Sequence, residues 1–308
     1  MKHLEVLRQC TICPRNCGVD RLSGSAGWCG SDAGFNISSI CLHQGEEPAI
    51  SGRNGICNIF FSRCNLACIY CQNHQISARR GEVQEHKLSL GEVIRRIKGF
   101  LDKGCTIVGF VSPSHYLPHV KAIIDALRQE GRNPTFVYNT NAYDRAEELR
   151  DLGNYIDVYL PDLKYLDNTM TRLYSGADNY PEFAKASIRE MYRQKGSTLR
   201  LDENGQATGG LIIRHLILPG NMENSKAVLQ WIAWELSPSV TISLMAQYFP
   251  AGKALGHAVL GREISKAEYD SVVEEMERLG FYKGWVQDLK SHGHYRPDFR
   301  KDHPFYQF

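Results

Sequence analysis

Three cysteines stand in the segment FFSRCNLACIYCQN as Cys64, Cys68 and Cys71, a C-x3-C-x2-C spacing. Thiolates so placed can take three irons of a cubane iron–sulfur cluster and leave the fourth open, and an open iron is a place for chemistry. A structural zinc would need a fourth ligand nearby, and of Gln72, Asn73 and His74 only the histidine supplies one. A second set, Cys10, Cys13, Cys17 and Cys29, has the spacing C-x2-C-x3-C-x11-C in a glycine-rich stretch. Four soft ligands suit a tetrahedral zinc ion or a second iron–sulfur cluster, and a closed shell of thiolates with no position for substrate favours zinc. Cys41, Cys57 and Cys105 are isolated and read as small buried hydrophobes.

Charge and composition narrow the partners. The 36 Lys and Arg against 34 Asp and Glu leave a net charge of +2, too small a field to hold nucleic acid by counterion release. The opening MKHLEVLRQCTICPRN lacks the apolar run of a signal peptide, and no stretch approaches the roughly 18 apolar residues of a membrane span. A cytoplasmic protein is expected, and in that reducing setting clustered thiols are metal ligands or catalysts before they are disulfides.

These side chains must be positioned by a scaffold, and the pattern from Cys57 onward supplies one. Short apolar runs at 57–63, 106–112, 135–140, 156–164, 210–218 and 241–248 alternate with amphipathic stretches, as parallel strands joined by crossover helices do. The clearest helices are Ser89 to Gly104, Leu117 to Gly131 and Ser265 to Gly280, where apolar residues recur at helical spacing. Trp231 and Trp234 lie on a further helix and read as core. Six such units fit an open doubly wound sheet or a barrel of fewer than eight strands, and both place ligands beyond the C-terminal ends of the strands. Residues 1–55 are a cysteine-rich, loop-rich segment poor in apolar residues, with 18–34 reading as turns, that needs a metal to fold; 56–284 form the strand-helix body; 285–308 are an aromatic tail that packs back on it.

The cysteine triad with Tyr70 before its last member resembles the hallmark of radical S-adenosylmethionine enzymes. Further matches, including CPRNCGVDR, GSAGWCG, LHQGEEPAISG, YNTNAYD, LPDLK and IIRHLILPG, are similar to pyruvate formate-lyase activating enzyme and its PflX-like relatives. The resemblance implies an α/β fold, a partial (β/α)6 TIM-like barrel, with a [4Fe-4S] cluster on Cys64, Cys68 and Cys71. It also implies reductive cleavage of S-adenosyl-L-methionine to a 5′-deoxyadenosyl radical that takes hydrogen from a protein or peptide, glycyl-radical activation being one form. Radical modification of a small molecule or RNA, or a non-catalytic iron–sulfur carrier, are the alternatives. Cofactor contacts map to Tyr70, Gln72, Ser112, Ser114, Asn139, Asp162, Lys164, Arg214 and Tyr248. An external electron donor of the flavodoxin or ferredoxin type is the implied partner.

Overall fold

A computed structural model of the chain describes residues 2–293 and 296–305. Its strands are β1 (Phe35–His43), β2 (Ile56–Phe61), β3 (His86–Leu88), β4 (Ile107–Val111), β5 (Thr135–Thr140), β6 (Val158–Pro161), β7 (Arg200–Leu201), β8 (Ala207–Leu216), β9 (Thr241–Met245) and β10 (Gly284–Val286). The helices are α1 (Pro48–Ser51), α2 (His74–Ser77), α3 (Leu90–Leu101), α4 (Leu117–Gln129), α5 (Ala146–Arg150), α6 (Asn168–Ser175), α7 (Tyr180–Lys195), α8 (Met222–Glu235) and α9 (Lys266–Arg278). The sheet runs β10-β9-β8-β6-β5-β4-β2-β1-β3, parallel from β10 to β2, with β7 hairpinned onto β8. Among the described residues no pairing joins β10 to β3, so the mostly parallel α/β sheet is a curved, unclosed wall, in keeping with a partial barrel.

Local sequence explains the elements. Ser89 caps α3 by accepting from Glu92 N while the Glu92 carboxylate accepts from Ser89 N, and Ser265 with Glu268 repeats the device on α9. Val93, Ile94 and Ile97 of α3 are buried at helical spacing. The β-branched strands β2 and β4 are buried along their whole lengths, as central parallel strands are.

Three readings from sequence are corrected. The N-terminal segment read as loop-rich contains β1, which pairs antiparallel with β2 and extends the wall. A seventh parallel strand, β10, lies beyond the six read from the pattern. Trp231 is buried, but Trp234 is 71% exposed, because a helix has a single core-facing stripe and Trp234 falls outside it.

Alternate residues of each strand point into the lumen. Its lower layer is apolar: Ala49 and Ile50 of α1 are buried with Ile56, Ile107, Val137, Val158, Leu160 and Ile212. The chain thus doubles back between β1 and β2 and plugs the N-terminal end of its own barrel. Fully burying Ile50 contributes about 2–3 kcal/mol. At the open side, Phe299 and Phe305 pack on Phe60 and Phe305 on His43.

Candidate functional site

Beyond the end of β2 the chain turns sharply at Arg63, a non-glycine residue at φ 65°, and presents the three cysteines. The loop is pinned from below: Ala67 N donates to Ser175 O at 2.9 Å and Ile69 N to Tyr174 O at 2.9 Å, both at the end of α6. Cys64 Sγ lies 3.4 Å from Asn141 Nδ2, Cys68 Sγ 3.0 Å from Ser175 Oγ, and Cys71 Sγ accepts from Ser77 Oγ at 3.3 Å. Burial pushes the Cys64 thiol up to about 12 and that of Cys68 to about 11; Lys164 opposes the shift at both. Thiols that burial keeps protonated ionise readily once a metal supplies the compensating charge. Among the described residues, no group of three or more His, Cys, Asp or Glu is placed to hold a single metal ion. Three thiolates suit a polynuclear cluster, in which each takes its own iron.

The cysteines form one wall of a cavity of about 420 Å³ at the C-terminal ends of the parallel strands. Of the residues expected at the cofactor, Tyr70, Gln72, Ser112, Asn139, Asp162, Lys164, Arg214 and Tyr248 all line this cavity with Cys64, Cys68 and Cys71. Ser114 does not: it is buried behind the wall with its hydroxyl 3.1 Å from Thr140 Oγ1. Ser112 sits at φ 52°, its N–H donating to Asn139 O at 2.9 Å. Tyr248 donates to Leu260 O at 2.6 Å and its ring is 6.0 Å from that of Tyr70.

A charged network crosses the lumen. Asp162 accepts from Arg214 Nε at 2.7 Å and from Lys164 Nζ at 2.8 Å. Arg214 also donates through Nη2 to Asn139 Oδ1 at 2.6 Å and through Nη1 to Glu46 Oε2 at 3.2 Å. Burial works to raise the Asp162 carboxyl, yet Arg214 and Lys164 hold it below its usual range. Burial likewise works against the Arg214 charge, but Asp162, Glu47 and Glu46 keep it firmly protonated. Sequence reasoning missed His43, Glu46, Glu47, Asn58 and Ser243. The first three belong to LHQGEEP, whose adjacent carboxylates before a proline were the available signal. Nothing local indicates that this segment folds into the barrel floor.

The N-terminal cysteines gather on the outer side of the triad loop. Cys10, Cys13 and Cys29 are buried, and the Sγ atoms of Cys17 and Cys29 lie 3.3 and 3.5 Å from where a Cβ on Gly27 would stand. Arg21, also buried, approaches Cys10 Sγ at 3.8 Å and donates to His115 O at 2.7 Å, so a cation is already in place for thiolate charge. Arg15 ties this segment to the triad loop, donating to Asn65 O and Gly176 O at 2.8 Å each. Trp28 is sandwiched between Arg15 and Arg79, 3.3 and 3.8 Å from its ring centre.

A mostly parallel α/β wall with a cysteine triad at its C-terminal rim defines a class. Residues 58–199 match the family described as the Radical SAM superfamily. Over 281 residues the chain is 26% identical to the "Uncharacterized protein MJ0674" of Methanocaldococcus jannaschii, covering 89% of this chain and 75% of that one. Solved structures overlap more loosely. SuiB of Streptococcus suis, bound to precursor peptide SuiA, aligns with a TM-score of 0.48 at 13% identity over 74% of this chain; the match spans about half of SuiB, 47%. Methylornithine synthase (PylB) gives 0.47 at 15% identity over 75% of this chain and 63% of its own. A domain of pyruvate-formate lyase-activating enzyme from Bacteroides vulgatus gives 0.38 at 17% identity over 56% and 93%. No helix among the described residues is long and apolar enough to cross a membrane.

Proposed function

We propose that Cys64, Cys68 and Cys71 hold a [4Fe-4S] cluster and that the chain is an enzyme of the activating type, taking hydrogen from a protein or peptide substrate. The observation that carries this reading is the convergence of the triad with Asp162, Lys164 and Arg214 on one cavity. With S-adenosyl-L-methionine bound, such a cluster supplies an electron to the sulfonium and yields a 5′-deoxyadenosyl radical. The chain's own residues do the rest. Three thiols of one loop, Cys64 buried and Cys68 and Cys71 half-buried, would hold the cluster at the rim, while Tyr70 and Tyr248 face the cavity as aromatic surfaces for an adenine ring. Asp162 and Lys164 pair with each other across 2.8 Å and form a ready dipole for a cofactor that carries both an ammonium and a carboxylate. The apolar lower layer and the α1 plug keep water from the reacting centre.

An external donor of the flavodoxin or ferredoxin type would reduce the cluster, and the N-terminal cysteines would hold zinc or a second cluster. The test is anaerobic reconstitution with iron and sulfide, reduction with dithionite, and measurement of 5′-deoxyadenosine. Wild-type protein should form it and Cys68→Ala should form none. Normal formation by Cys68→Ala, or none by the reconstituted wild type, would overturn the reading, the latter result returning the chain to a carrier role.

A further inference from the structure

The floor of the cavity carries more acid than it needs for its own pairing. Glu46 is satisfied: Oε1 accepts from Asn58 Nδ2 at 3.0 Å and from Asn139 Nδ2 at 3.4 Å, and Oε2 from Arg214. Asp162 takes the remaining edge of Arg214 and all of the Lys164 contact. Glu47 is left over. It is only 8% exposed and lines the cavity, burial holds its carboxyl above the usual range, and although Ser243 serves it on one side its Oε2 has no hydrogen-bond partner. Three carboxylates therefore face two cations in the lumen. The nearby His43 adds no charge, since burial and Arg214 push its ring down to about 4. A buried carboxylate oxygen without a donor is costly and is resolved by a proton or by a ligand that brings a donor.

Resting on the reading of this cavity as the place of reaction, we propose that Glu47 receives the primary ammonium group of the substrate. The substrate class is then an alkyl amine, a lysyl or amino-terminal group of a peptide included. An ammonium is compact and carries three donors. One free carboxylate oxygen beside a neutral imidazole supplies acceptors for such a head, whereas a guanidinium fork would ask for two oxygens in a plane. Beside them Phe60, Trp285 and Phe305 line the cavity and give an alkyl chain an apolar path toward the rim.

The cofactor's own amino group is the rival occupant, and position argues against it. Glu47 acts on Arg214 and Ser243, within β8 and β9, whereas the triad lies past the end of β2, where Cys64 meets Asn141 beyond the end of β5. The carboxylate thus faces β8 and β9, four and five strands along the wall from β2, whose end carries the cluster ligands.

The experiment is calorimetric titration of the reconstituted protein with n-butylammonium chloride, 1-butanol and sodium butyrate at one ionic strength, each followed by addition of S-adenosyl-L-methionine. The ammonium should bind at least tenfold tighter than either control and stay bound when S-adenosyl-L-methionine is added, and Glu47→Gln should lose that preference at least tenfold. Equal binding of the alcohol, an unchanged preference in Glu47→Gln, or displacement of the ammonium by S-adenosyl-L-methionine would each overturn the proposal. The comparison among the three probes on wild-type protein decides even if the variant folds poorly. Formation of 5′-deoxyadenosine by the wild type is scored separately. Its absence with ammonium preference intact defeats only the radical reading, and its presence without that preference defeats only the amine site.

Discussion

Asp162 holds two cations at once, and its removal should be felt on both sides. Asp162→Asn would leave Lys164 and Arg214 facing each other with one carboxylate fewer, while the triad loop, pinned to α6, keeps its anchors. The expected outcome is iron content unchanged and affinity for S-adenosyl-L-methionine reduced at least tenfold, measured by equilibrium dialysis against the reconstituted protein. Lys164→Met should act the same way. Equal affinity in both would mean that the pair is purely structural. The triad, Asp162 and Lys164 were legible because their spacing along single elements already fixes a shared location or face, whereas Arg214 came from the resemblance of IIRHLILPG. Glu46 was not, because its partners Asn139 and Arg214 lie 93 and 168 positions away in the chain. Ser114 was read as a cofactor contact only because it follows Ser112 at the strand end; one further turn of backbone carries it behind the wall.

Gly109 shows how closely the strands must approach one another at the lumen. A Cβ there would meet Asn58 Oδ1 at 2.1 Å and Ile56 Cδ1 at 2.8 Å, so the glycine clears the space that the Asn58 amide occupies on its way to Glu46. Gly109→Ala should cost about 1–3 kcal/mol in urea unfolding through overpacking. A helix cap is a cleaner perturbation. Ser265→Ala removes the side-chain acceptor for Glu268 N and should cost about 1 kcal/mol by the same measurement, with no change in the iron bound. Strands β2, β4, β5, β6, β8 and β9 were readable because each is a buried apolar run between turn signals. β10 is three residues long with two of them exposed, so it carries almost no pattern of its own. β1 was hidden because polar Asn36, Ser38 and Ser39 interrupt its apolar residues, and its place is set by pairing with β2.

At the scale of the whole molecule, four histidines are buried in the neutral form. Burial pushes His43 and His215 down to about 4 and His115 and His119 to about 3. The unfolded chain takes up protons on these rings near pH 6.5, above the range of ordinary carboxylates, while the folded chain does not. Their contribution to stability is thus full above that pH, declines as pH falls, and is exhausted only below about 3. Melting temperature should begin to drop between pH 6.5 and 5; a flat profile over that interval would show that these rings accept protons in the folded state. The N-terminal metal is a separate question for elemental analysis. Protein with Cys64, Cys68 and Cys71 replaced should retain either about one zinc or several irons with sulfide, and loss of all metal would remove the reason for gathering four thiols there.

The plug of Ala49 and Ile50 makes the lumen a blind well, with Phe299 and Phe305 stopping its open flank. Traffic through a well is last in, first out. Whatever settles against Glu47 must arrive before anything occupies the rim, and it cannot leave until the rim is vacated. Steady-state kinetics should accordingly show a compulsory order of addition, with S-adenosyl-L-methionine second, and an excess of it should slow turnover by sealing the well over an empty floor.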